Sequence, residues 1–268
     1  MEEAVVADRR FTEDLQRAHY DSIADAYQLH YADRCSRQYM REFFFTPMVE
    51  GIQLCGMRVL DAMCGSGPTV GFLLEAGATV TGLDISSRVI EDFREKWPGC
   101  EAVEASIFGS SIGDASFDCV TIIGGLHHLH PHLDEAMDEL HRILKPGGYL
   151  CFSEPHIGSV PDLVRRLWYR VDPLFGSNEM GINVDYLEAV NANRFEVVRR
   201  QYMGSIAYLF VLNSLAFRVP LWLKPVYAGL ACRLEALCNR FVGKRTSCYV
   251  TCQWRKRSSI GDGWPEET

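Results

Sequence analysis

The 268-residue sequence contains no apolar run of the roughly 20 residues that a membrane-spanning helix needs. It begins with the acidic residues Glu2 and Glu3, so the basic and then apolar pattern of a signal peptide is missing. None of its ten cysteines forms a C-x-x-C pair, which argues against a structural zinc site. We therefore expect a cytoplasmic protein whose cysteines are buried apolar thiols in a reducing compartment.

Acidic residues outnumber basic residues in the sequence, 35 to 27. The formal net charge is −8, so no overall attraction to nucleic acid is expected. Apolar residues make up 47% of the chain, which is enough for a sizeable core. The length suits one large domain, or one domain with an embedded cap, and the sequence leaves the oligomeric state open.

Segments with strand and helix patterns alternate through the middle of the chain. Strands are predicted over residues 57–61, 79–84, 100–104, 117–123 and 149–153. Helices are predicted over residues 69–76, 86–97 and 133–144, the second with Ser86 or Ser87 as its N-cap. This alternation predicts an α/β fold, a mostly parallel Rossmann-like sheet with helices on both faces. Ligands of such sheets bind at the carboxyl ends of the strands.

The flanking segments complete the predicted organisation. Residues 1–54 have helical periodicity and are predicted to form an N-terminal lid, with Tyr20 or Tyr27 near the ligand. Residues 55–203 would form the core, with a further strand over 195–202. Residues 204–243 would form an apolar helical cap, and residues 244–268 the last core strand, near 246–254, and a polar tail.

A glycine-rich turn follows the first predicted strand. Asp61 ends that strand, and Gly65-Ser66-Gly67 allows the backbone to approach a ligand, while the next helix points free N–H groups at the same place. A P-loop is excluded because no lysine follows Gly67. A dinucleotide fingerprint matches weakly, since Val70 stands at the third glycine position and Asp61 would repel a pyrophosphate.

Two acids narrow the ligand further. Asp61 suits a cationic amino-acid end, and Asp84, which ends the second predicted strand, can accept hydrogen bonds from two ribose hydroxyls. A cofactor that combines a ribose, an ammonium and a sulfonium is S-adenosylmethionine. We therefore predict that S-adenosylmethionine binds at the carboxyl ends of the first two strands.

Five segments in register resemble the motifs of class I S-adenosylmethionine-dependent methyltransferases. They are residues 59–67 (VLDAMCGSG), 80–86 (VTGLDIS), 117–120 (FDCV), 126–129 (LHHL) and 142–148 (RILKPGG). The resemblance covers about residues 55–155 and is nearest to the small-molecule branch that includes the menaquinone/ubiquinone-type C-methyltransferases. It implies a seven-stranded sheet with an antiparallel last strand.

The predicted cofactor site combines these acids and glycines with positions that the resemblance adds. Its members are Asp61, Ala62, Gly65, Gly67, Asp84, Ile85, Ser106, Ile107, Gly124 and Tyr20. Two positions depart from the family pattern. Met63 stands where relatives have their first glycine, so the turn is expected to be less open there. Ser106 replaces an aspartate that contacts the adenine amino group in many relatives, which leaves an uncharged hydroxyl beside the backbone N–H of Ile107.

The chemistry expected at the site is an in-line displacement on an activated methyl group, so alignment supplies much of the rate. A general base is needed mainly when the acceptor must lose a proton. His127 and His128 follow the fourth strand, where the methyl group is expected, and are the candidate bases. Glu154 and His156 are rivals on the substrate side, although an exposed loop position is favoured for each.

Four histidines, His127, His128, His130 and His132, lie close together in the sequence. A metal site needs ligands that converge from defined directions. Pro131 and the helix that begins after it would scatter these side chains, so no metal is predicted.

The cap is the second informative region. Residues 206–212 and 215–217 form an apolar block of helical length, and a basic end follows at Arg240, Lys244 and Arg245. We expect an apolar cap over the substrate. A peripheral membrane contact through residues 205–242, with the basic residues facing phospholipid, remains an open alternative.

The sequence thus predicts an enzyme that transfers a methyl group from S-adenosylmethionine to a small, fairly apolar acceptor, with the O, C or N atom open. A nucleic-acid or protein methyltransferase is disfavoured by the charge of −8 and by Gly124-Gly125-Leu126-His127, where an Asn/Asp-Pro-Pro-Tyr/Phe signature would stand. Two alternatives remain. One is a non-catalytic binding protein with the same fold, and the other a methyltransferase for a lipid-linked acceptor at a membrane surface.

Overall fold

One sheet of seven strands organises the chain. The computed structural model describes residues 30–169, 180–215 and 217–258, so the predicted lid residues Tyr20 and Tyr27 lie outside the described residues. The strands are β1 (Arg58–Ala62), β2 (Thr79–Asp84), β3 (Glu101–Glu104), β4 (Phe117–Ile123), β5 (Leu144–Pro155), β6 (Phe195–Met203) and β7 (Tyr249–Lys256).

The strands lie in the order β3-β2-β1-β4-β5-β7-β6. Strands β1 to β5 pair in parallel, whereas β7 is antiparallel to both β5 and β6. The predicted seven-stranded, mostly parallel sheet with an antiparallel last strand is confirmed. The chain runs outward from β1 to β3 and then returns to β4, so the topology switches direction between β1 and β4. A crevice opens at the carboxyl ends of the strands at such a point.

Helices cover the sheet, and each follows from its local pattern. They are α1 (Arg34–Met40), α2 (Val70–Glu75), α3 (Ser87–Lys96), α4 (Leu133–Ile143), α5 (Val160–Tyr169), α6 (Val184–Asn191) and α7 (Lys224–Cys238). Ser86 is the N-cap of α3, since its hydroxyl accepts a hydrogen bond from the N–H of Val89 at 3.3 Å. In α4, Leu133, Met137 and Leu140 are buried at helical spacing, so that face packs on the sheet.

Some boundaries differ from those predicted. β5 begins at Leu144 and not at residue 149, because Leu144 already pairs with Phe117 and a register shift follows between Phe117 and Cys119. β7 begins at Tyr249 and not at residue 246, because backbone bonds to the carbonyl of Gly243 hold residues 243–247 in a turn. Within the helical segment predicted over residues 1–54, the described part contains α1, continued by a π-helical segment (Arg41–Phe45) and a last turn (Thr46–Met48).

The cap segment, residues 204–243, packs on α1 and its continuation. It contains a π-helical segment (Tyr208–Leu212), a 3-10 turn (Leu221–Leu223) and α7, and it shares a hydrophobic cluster with the phenylalanines of residues 43–45. Buried Lys224 donates from Nζ to Asp33 Oδ2 at 2.5 Å and to Ser36 Oγ at 2.8 Å. This ion pair between buried Lys224 and partly buried Asp33 joins the start of α7 to the start of α1.

Candidate active site

A cavity of about 840 Å³ lies at the carboxyl ends of the strands. The strand order determines its layout. Gly65, Asp84 and Ser106, which follow or end β1, β2 and β3, line one part, and His127 and Glu154, at the ends of β4 and β5, line the next. The volume lies within the range of pockets for small organic ligands, roughly 300–1,000 Å³.

Asp61 is the buried acid of this cavity, and only 2% of it is exposed. Its Oδ1 accepts a hydrogen bond from the Thr121 hydroxyl at 2.9 Å, whereas Oδ2 has no hydrogen-bond partner among the described residues. Burial raises the pKa of Asp61 to about 7, although hydrogen bonds from Thr121 and Thr69 oppose the shift. A buried, unsatisfied carboxylate oxygen on a cavity wall is completed by a cationic group, so Asp61 suits an ammonium.

Asp84 ties the glycine turn to the start of α3. Its Oδ2 accepts a hydrogen bond from the N–H of Gly65 at 3.0 Å, and its Oδ1 accepts one from the N–H of Ser86 at 3.0 Å. Each carboxylate oxygen can accept a second hydrogen bond. Since Asp84 lines the cavity, this capacity suits the two hydroxyls of a ribose.

The two glycines of the turn differ in what they permit. Gly65 has φ +53° and lines the cavity, and a Cβ added there would meet no atom within 4 Å. Gly67 has φ +73°, and a Cβ there would lie 2.6 Å from Trp97 Nε1. Neither Gly67 nor the buried core residue Ala62 is among the described residues that line the cavity. Gly65 therefore suits close approach of a ligand, while Gly67 permits the packing of α3 on the turn.

Met63 adopts the left-handed backbone conformation that a glycine would adopt easily. Its φ is +55°, which costs a non-glycine residue about 1–2 kcal/mol. Its side chain lines the cavity and lies against the loop after β4, so a Cβ added at Gly125 would be 2.7 Å from Met63 Sδ. The methionine keeps the turn of the motif and takes up room that a glycine would leave open.

The remaining predicted cofactor residues, Ile85, Ser106, Ile107 and Gly124, all line the cavity. The Ser106 hydroxyl accepts a hydrogen bond from the N–H of Phe108 at 3.1 Å, so it helps to hold the turn after β3. Gly124 has φ +63°, and its N–H donates to the carbonyl of Ser153 at 2.9 Å. These contacts set the shape of the cavity wall beside Asp84.

His127 and Glu154 form a hydrogen-bonded pair. Glu154 is 0% exposed, and its Oε1 accepts hydrogen bonds from the N–H groups of Gly125 at 2.8 Å and Leu126 at 2.9 Å. Its Oε2 lies 2.8 Å from His127 Nδ1. The ring of His128 lies beside His127, with the two centroids 3.8 Å apart. Both predicted bases therefore line the cavity, and Nδ1 of His127 lies within hydrogen-bond distance of the acid.

Burial shifts the pKa of both members of this pair. It lowers the pKa of His127 to about 3, and the nearby cation Arg165 adds to the shift. It raises the pKa of Glu154 to about 7, while the backbone N–H groups of Leu126 and Gly125 oppose the shift. Near neutral pH the imidazole of His127 is therefore neutral, which is the state that a general base requires.

The expectation that Glu154 and His156 lie in an exposed loop is wrong, since both are 0% exposed. β5 extends to Pro155, so Glu154 pairs with Val250 of β7, and His156 forms a bridge with Ile182. His156 Nε2 lies 2.7 Å from the Ser247 hydroxyl, and its Nδ1 donates to the carbonyl of Ile157 at 3.0 Å. His156 therefore links the end of β5 to the turn before β7 and is not among the described residues that line the cavity.

The four histidines of residues 127–132 do not converge on one point. Across residues 30–169, 180–215 and 217–258, no group of three or more His, Cys, Asp or Glu side chains is arranged to hold a metal ion. His132 instead lies 3.0 Å from Glu135 Oε1 at the start of α4. All ten cysteines are free thiols, and Cys55 is exposed, unlike the buried thiols that the sequence predicted.

Beyond the His127–Glu154 pair, the cavity has an aromatic wall. The aromatic chamber is formed by Phe44, Tyr208 and Tyr249. The Phe44 and Tyr249 rings meet edge-on with their centroids 4.5 Å apart, and the two tyrosine rings are tilted by 34° with their centroids 5.1 Å apart. Tyr249 donates its hydroxyl to the carbonyl of Phe43 at 2.9 Å, which fixes its ring. The sequence predicted only an apolar cap here, since the three rings come from distant segments. The Phe43-Phe44-Phe45 run was the available signal.

Comparison with known proteins agrees with this geometry. Residues 59–148 match a family model described as a methyltransferase domain. A demethylmenaquinone methyltransferase of Staphylococcus epidermidis is 34% identical over 173 residues, covering 61% of this chain and 70% of that protein. A malonyl-(acyl-carrier protein) O-methyltransferase of Enterobacter lignolyticus is 34% identical over 115 residues, covering 43% of this chain and 45% of that protein. The match spans about half the length of the curated relatives that rank first, 45%, 53% and 48%.

A solved structure shares the fold over almost the whole chain. The Burkholderia thailandensis 1,6-didemethyltoxoflavin-N1-methyltransferase, with bound 1,6-didemethyltoxoflavin and S-adenosylhomocysteine, aligns with a TM-score of 0.59. The alignment covers 93% of this chain and 91% of that chain at 17% identity. At this identity the likeness concerns the fold alone.

Proposed function

The chain belongs to the class I S-adenosylmethionine-dependent methyltransferases, and on this premise we propose that it transfers a methyl group from that cofactor to a small, largely apolar acceptor. One observation carries the proposal. The same cavity contains the acids Asp61 and Asp84, the His127–Glu154 pair and the aromatic chamber. An in-line displacement needs the donor and the acceptor side by side in one enclosed space.

The residues that line the cavity around Asp61 and Asp84 suit the cofactor. Asp61 offers an unsatisfied carboxylate oxygen to its ammonium, and Asp84 offers hydrogen-bond acceptors to its ribose hydroxyls. Gly65 leaves open space beside the turn, and Ile85 and Ile107 supply apolar walls for the adenine. When bound, the cofactor would supply a methyl group already activated on a sulfonium.

The chain itself would contribute three effects. The cap and α1 exclude water from the aromatic chamber, where Phe44, Tyr208 and Tyr249 orient a flat acceptor by ring contacts. Hydrogen bonds from the N–H of Gly65 to Asp84 and from the N–H of Gly125 to Glu154 would fix the loops that line the cofactor part and the acceptor part of the cavity. Neutral His127 would accept a proton from an acceptor that must lose one.

The acceptor class follows from the aromatic chamber. Aromatic faces favour a planar, weakly polar group, and the two tyrosine rings of the chamber offer such faces. A phenolic or enolic oxygen, or the carbon beside it, would place its acidic proton near His127. Two relatives are named for their acceptors, demethylmenaquinone and malonyl-(acyl-carrier protein), and the second name specifies transfer to an oxygen.

Calorimetric titration of S-adenosylmethionine into the full chain tests the cofactor assignment. We expect one binding event per chain, no response to nicotinamide nucleotides, and no measurable binding by Asp84→Ala. The loss of two charge-assisted hydrogen bonds, at about 1.5–3 kcal/mol each, accounts for that result. Asp114→Asn is the matched control, because Asp114 is 79% exposed, pairs with Arg142 and precedes β4 at the opposite end of the sheet.

The absence of heat in a folded sample would contradict the cofactor assignment and would favour a binding protein that keeps only the fold. A response to nicotinamide nucleotides would instead indicate a dehydrogenase. Unchanged binding by Asp84→Ala would place the ribose elsewhere.

We further propose that residues 205–242 contact an anionic membrane surface, from which an apolar acceptor enters the cavity. Large apolar side chains are exposed along this segment, among them Trp222 (77%), Val226 (77%), Leu230 (64%) and, just before its end, Phe241 (83%). Its acid, Glu235, is buried and accepts hydrogen bonds from Ser205 and Ala207, whereas its basic residues, apart from buried Lys224, are exposed: Arg218, Arg233 and Arg240, followed by Lys244 and Arg245.

Helix α5 adds a second exposed apolar face beside the cap. Val160, Leu163, Val164 and Leu167 lie at helical spacing and are each more than half exposed, at 63%, 55%, 53% and 56%. The helix contacts the cap near its C-terminal end, where the Trp168 and Phe217 rings are 4.8 Å apart. At its other end, the N–H of Val160 donates to the carbonyl of Arg245, just after the cap. Within the described ranges, no helix is both long and apolar enough to cross a bilayer.

Flotation with liposomes tests this surface. Vesicles that contain phosphatidylglycerol should bind the protein at low salt and release it at high salt, since each surface cation contributes about 1 kcal/mol and salt screens it. Trp222→Ser should weaken binding, whereas Val198→Ser, which changes an exposed apolar residue on β6, should not. A protein that stays unbound at low salt would contradict the membrane contact without affecting the proposed chemistry.

A further inference from the structure

The carboxylate of Glu154 contacts both the loop after β4 and the ring of His127. Its Oε1 holds the turn after β4 through the N–H groups of Gly125 and Leu126. Its Oε2 accepts a longer hydrogen bond of 3.4 Å from the backbone N–H of His127, and it lies closer, at 2.8 Å, to His127 Nδ1. A fully buried carboxylate is costly unless every part of its charge is used, so the contact with the ring requires an explanation of its own.

We propose that Glu154 is a positioning residue that keeps the proton of neutral His127 on Nδ1, which leaves Nε2 as the proton acceptor of the active site. An ionised carboxylate can only accept hydrogen bonds, so the shared hydrogen must belong to Nδ1. The neutral ring carries one hydrogen, and its other nitrogen then keeps a lone pair. The inference rests on the proposed methyl transfer for its chemical purpose, but the tautomer is a property of the protein alone.

The proton balance of this arrangement is simple. As the acceptor atom bonds to the methyl carbon, the carbon–sulfur bond of the bound cofactor would break and leave its electron pair on sulfur. The hydrogen of the acceptor atom would move to His127 Nε2, and the electrons of its former bond would stay on the acceptor atom. The imidazolium that forms keeps its Nδ1–H on Glu154, whose negative charge stabilises it. The ring later returns the proton to water, which restores the starting state.

The neighbouring groups disfavour a charged ring in the resting protein. His128 faces it from the same turn, His130 lies further along, and Arg165 adds positive charge from α5. Burial raises the pKa of Glu154 to about 7, so the pair takes up one proton near neutrality. If that proton lies on the ring, both ring nitrogens carry a hydrogen. If it lies on Oε2 of Glu154, that oxygen donates to Nδ1 and the hydrogen of the ring lies on Nε2. In both cases Nε2 cannot accept a proton. Transfer to an acidic acceptor should therefore fall as the pH decreases below about 7.

Glu154→Gln separates the two functions of this side chain. The amide oxygen can still accept from Gly125 and Leu126, but the amide NH₂ must then face His127 Nδ1. The ring would have to accept at Nδ1 and carry its hydrogen on Nε2. Glu235→Gln is the matched control. Glu235 is also 0% exposed and accepts from the backbone N–H groups of Ser205 and Ala207, but it has no histidine partner among the described residues.

Nitrogen-15 NMR of histidine-labelled, ligand-free protein at about pH 8.5, above the pKa of the pair, reads the tautomer directly. We expect Nδ1–H for His127 in the wild type and in Glu235→Gln, and Nε2–H in Glu154→Gln. A wild-type ring with its hydrogen on Nε2, or an unchanged ring in Glu154→Gln, would overturn the proposal. The same spectra show whether each variant is folded.

Kinetics with a proton-losing acceptor provide a second readout. Glu154→Gln should reduce kcat by about 10²–10⁴-fold, the usual contribution of a general base, with KM for the cofactor unchanged. The decrease in rate below about pH 7 that is expected for the wild type should be absent in Glu154→Gln. Glu154→Asp, which keeps the charge, should retain more of the rate than Glu154→Gln. Equal rates for the wild type, Glu154→Gln and Glu154→Asp would overturn the positioning role. If the tautomers are as expected but no methyl transfer occurs, only the proposed function is refuted.

Discussion

Replacing Asp61 by asparagine should stabilise the ligand-free protein at alkaline pH and, at the same time, weaken cofactor binding. Burial raises the pKa of Asp61 to about 7, against about 3.9 in an unfolded chain. Between these values the folded chain binds more protons than the unfolded chain, so the free energy of unfolding decreases as the pH rises through this window. Above about pH 7, ionised Asp61 costs up to about 4 kcal/mol.

The asparagine removes that charge but leaves one defect. Its Oδ1 can still accept from the Thr121 hydroxyl, while its NH₂ occupies the place of the unsatisfied Oδ2. An unsatisfied buried donor costs about 1–3 kcal/mol. The variant should therefore be about 1–3 kcal/mol more stable than the wild type near pH 8, which corresponds to roughly 2–4 °C in Tm per kcal/mol. Near pH 5, where wild-type Asp61 is protonated, the gain should disappear.

Cofactor binding should respond in the opposite direction. A hydrogen bond to a charged group contributes about 1.5–3 kcal/mol, so loss of the contact with the ammonium should weaken binding roughly 10- to 100-fold. A residue that serves only the fold would not couple a gain of stability to a loss of affinity. The opposite signs therefore distinguish a ligand-binding acid from a structural one.

Thermal unfolding between about pH 5 and pH 9 and calorimetric titration of the cofactor together check this prediction. The exposed Asp114→Asn variant should match the wild type in both measurements. An equal difference in Tm between Asp61→Asn and the wild type at both ends of the pH range would refute the assigned pKa. Unchanged affinity in Asp61→Asn would refute the assigned contact with the ammonium.

Two further variants probe the packing around the cavity. Gly125→Ala should slow methyl transfer at least about 10-fold with little change in cofactor affinity, because the new Cβ would lie 2.7 Å from Met63 Sδ and displace the loop after β4. Adding Met63→Gly should recover part of the rate. A double variant as slow as Gly125→Ala would contradict the clash. Lys224→Met should lower the free energy of unfolding by up to about 3 kcal/mol in urea titrations, because it leaves Asp33 without its buried cation. Adding Asp33→Asn should reduce this loss, and strictly additive effects would refute the coupling of the two residues.

Much of the sheet was predictable because its signals are local. Apolar runs mark β1, β2 and β4, and the acids Asp61 and Asp84 stand at the ends of the first two strands. Since carboxyl ends of parallel strands meet at one edge, placing both acids in one cavity needed only the parallel pairing. The N-cap Ser86 follows from the same local chemistry.

The failures involve contacts between distant segments. Glu154 and His156 resembled loop residues because the residues that pair with them, Val250 and Ile182, come later in the sequence and have no local signal. Nothing local indicates either that Trp97 packs against Gly67, which leaves this glycine outside the cavity lining. The aromatic chamber combines Phe44 with rings from the cap and β7, and only the folded chain brings them together.

The position of S-adenosylhomocysteine in a crystal structure of the complex tests the proposed function most directly. We expect its ribose hydroxyls within hydrogen-bond distance of Asp84, its ammonium beside Asp61 Oδ2, and its sulfur facing the aromatic chamber next to His127. A ligand whose ribose lies away from Asp84, or whose sulfur is separated from the chamber by protein, would contradict methyl transfer in this cavity.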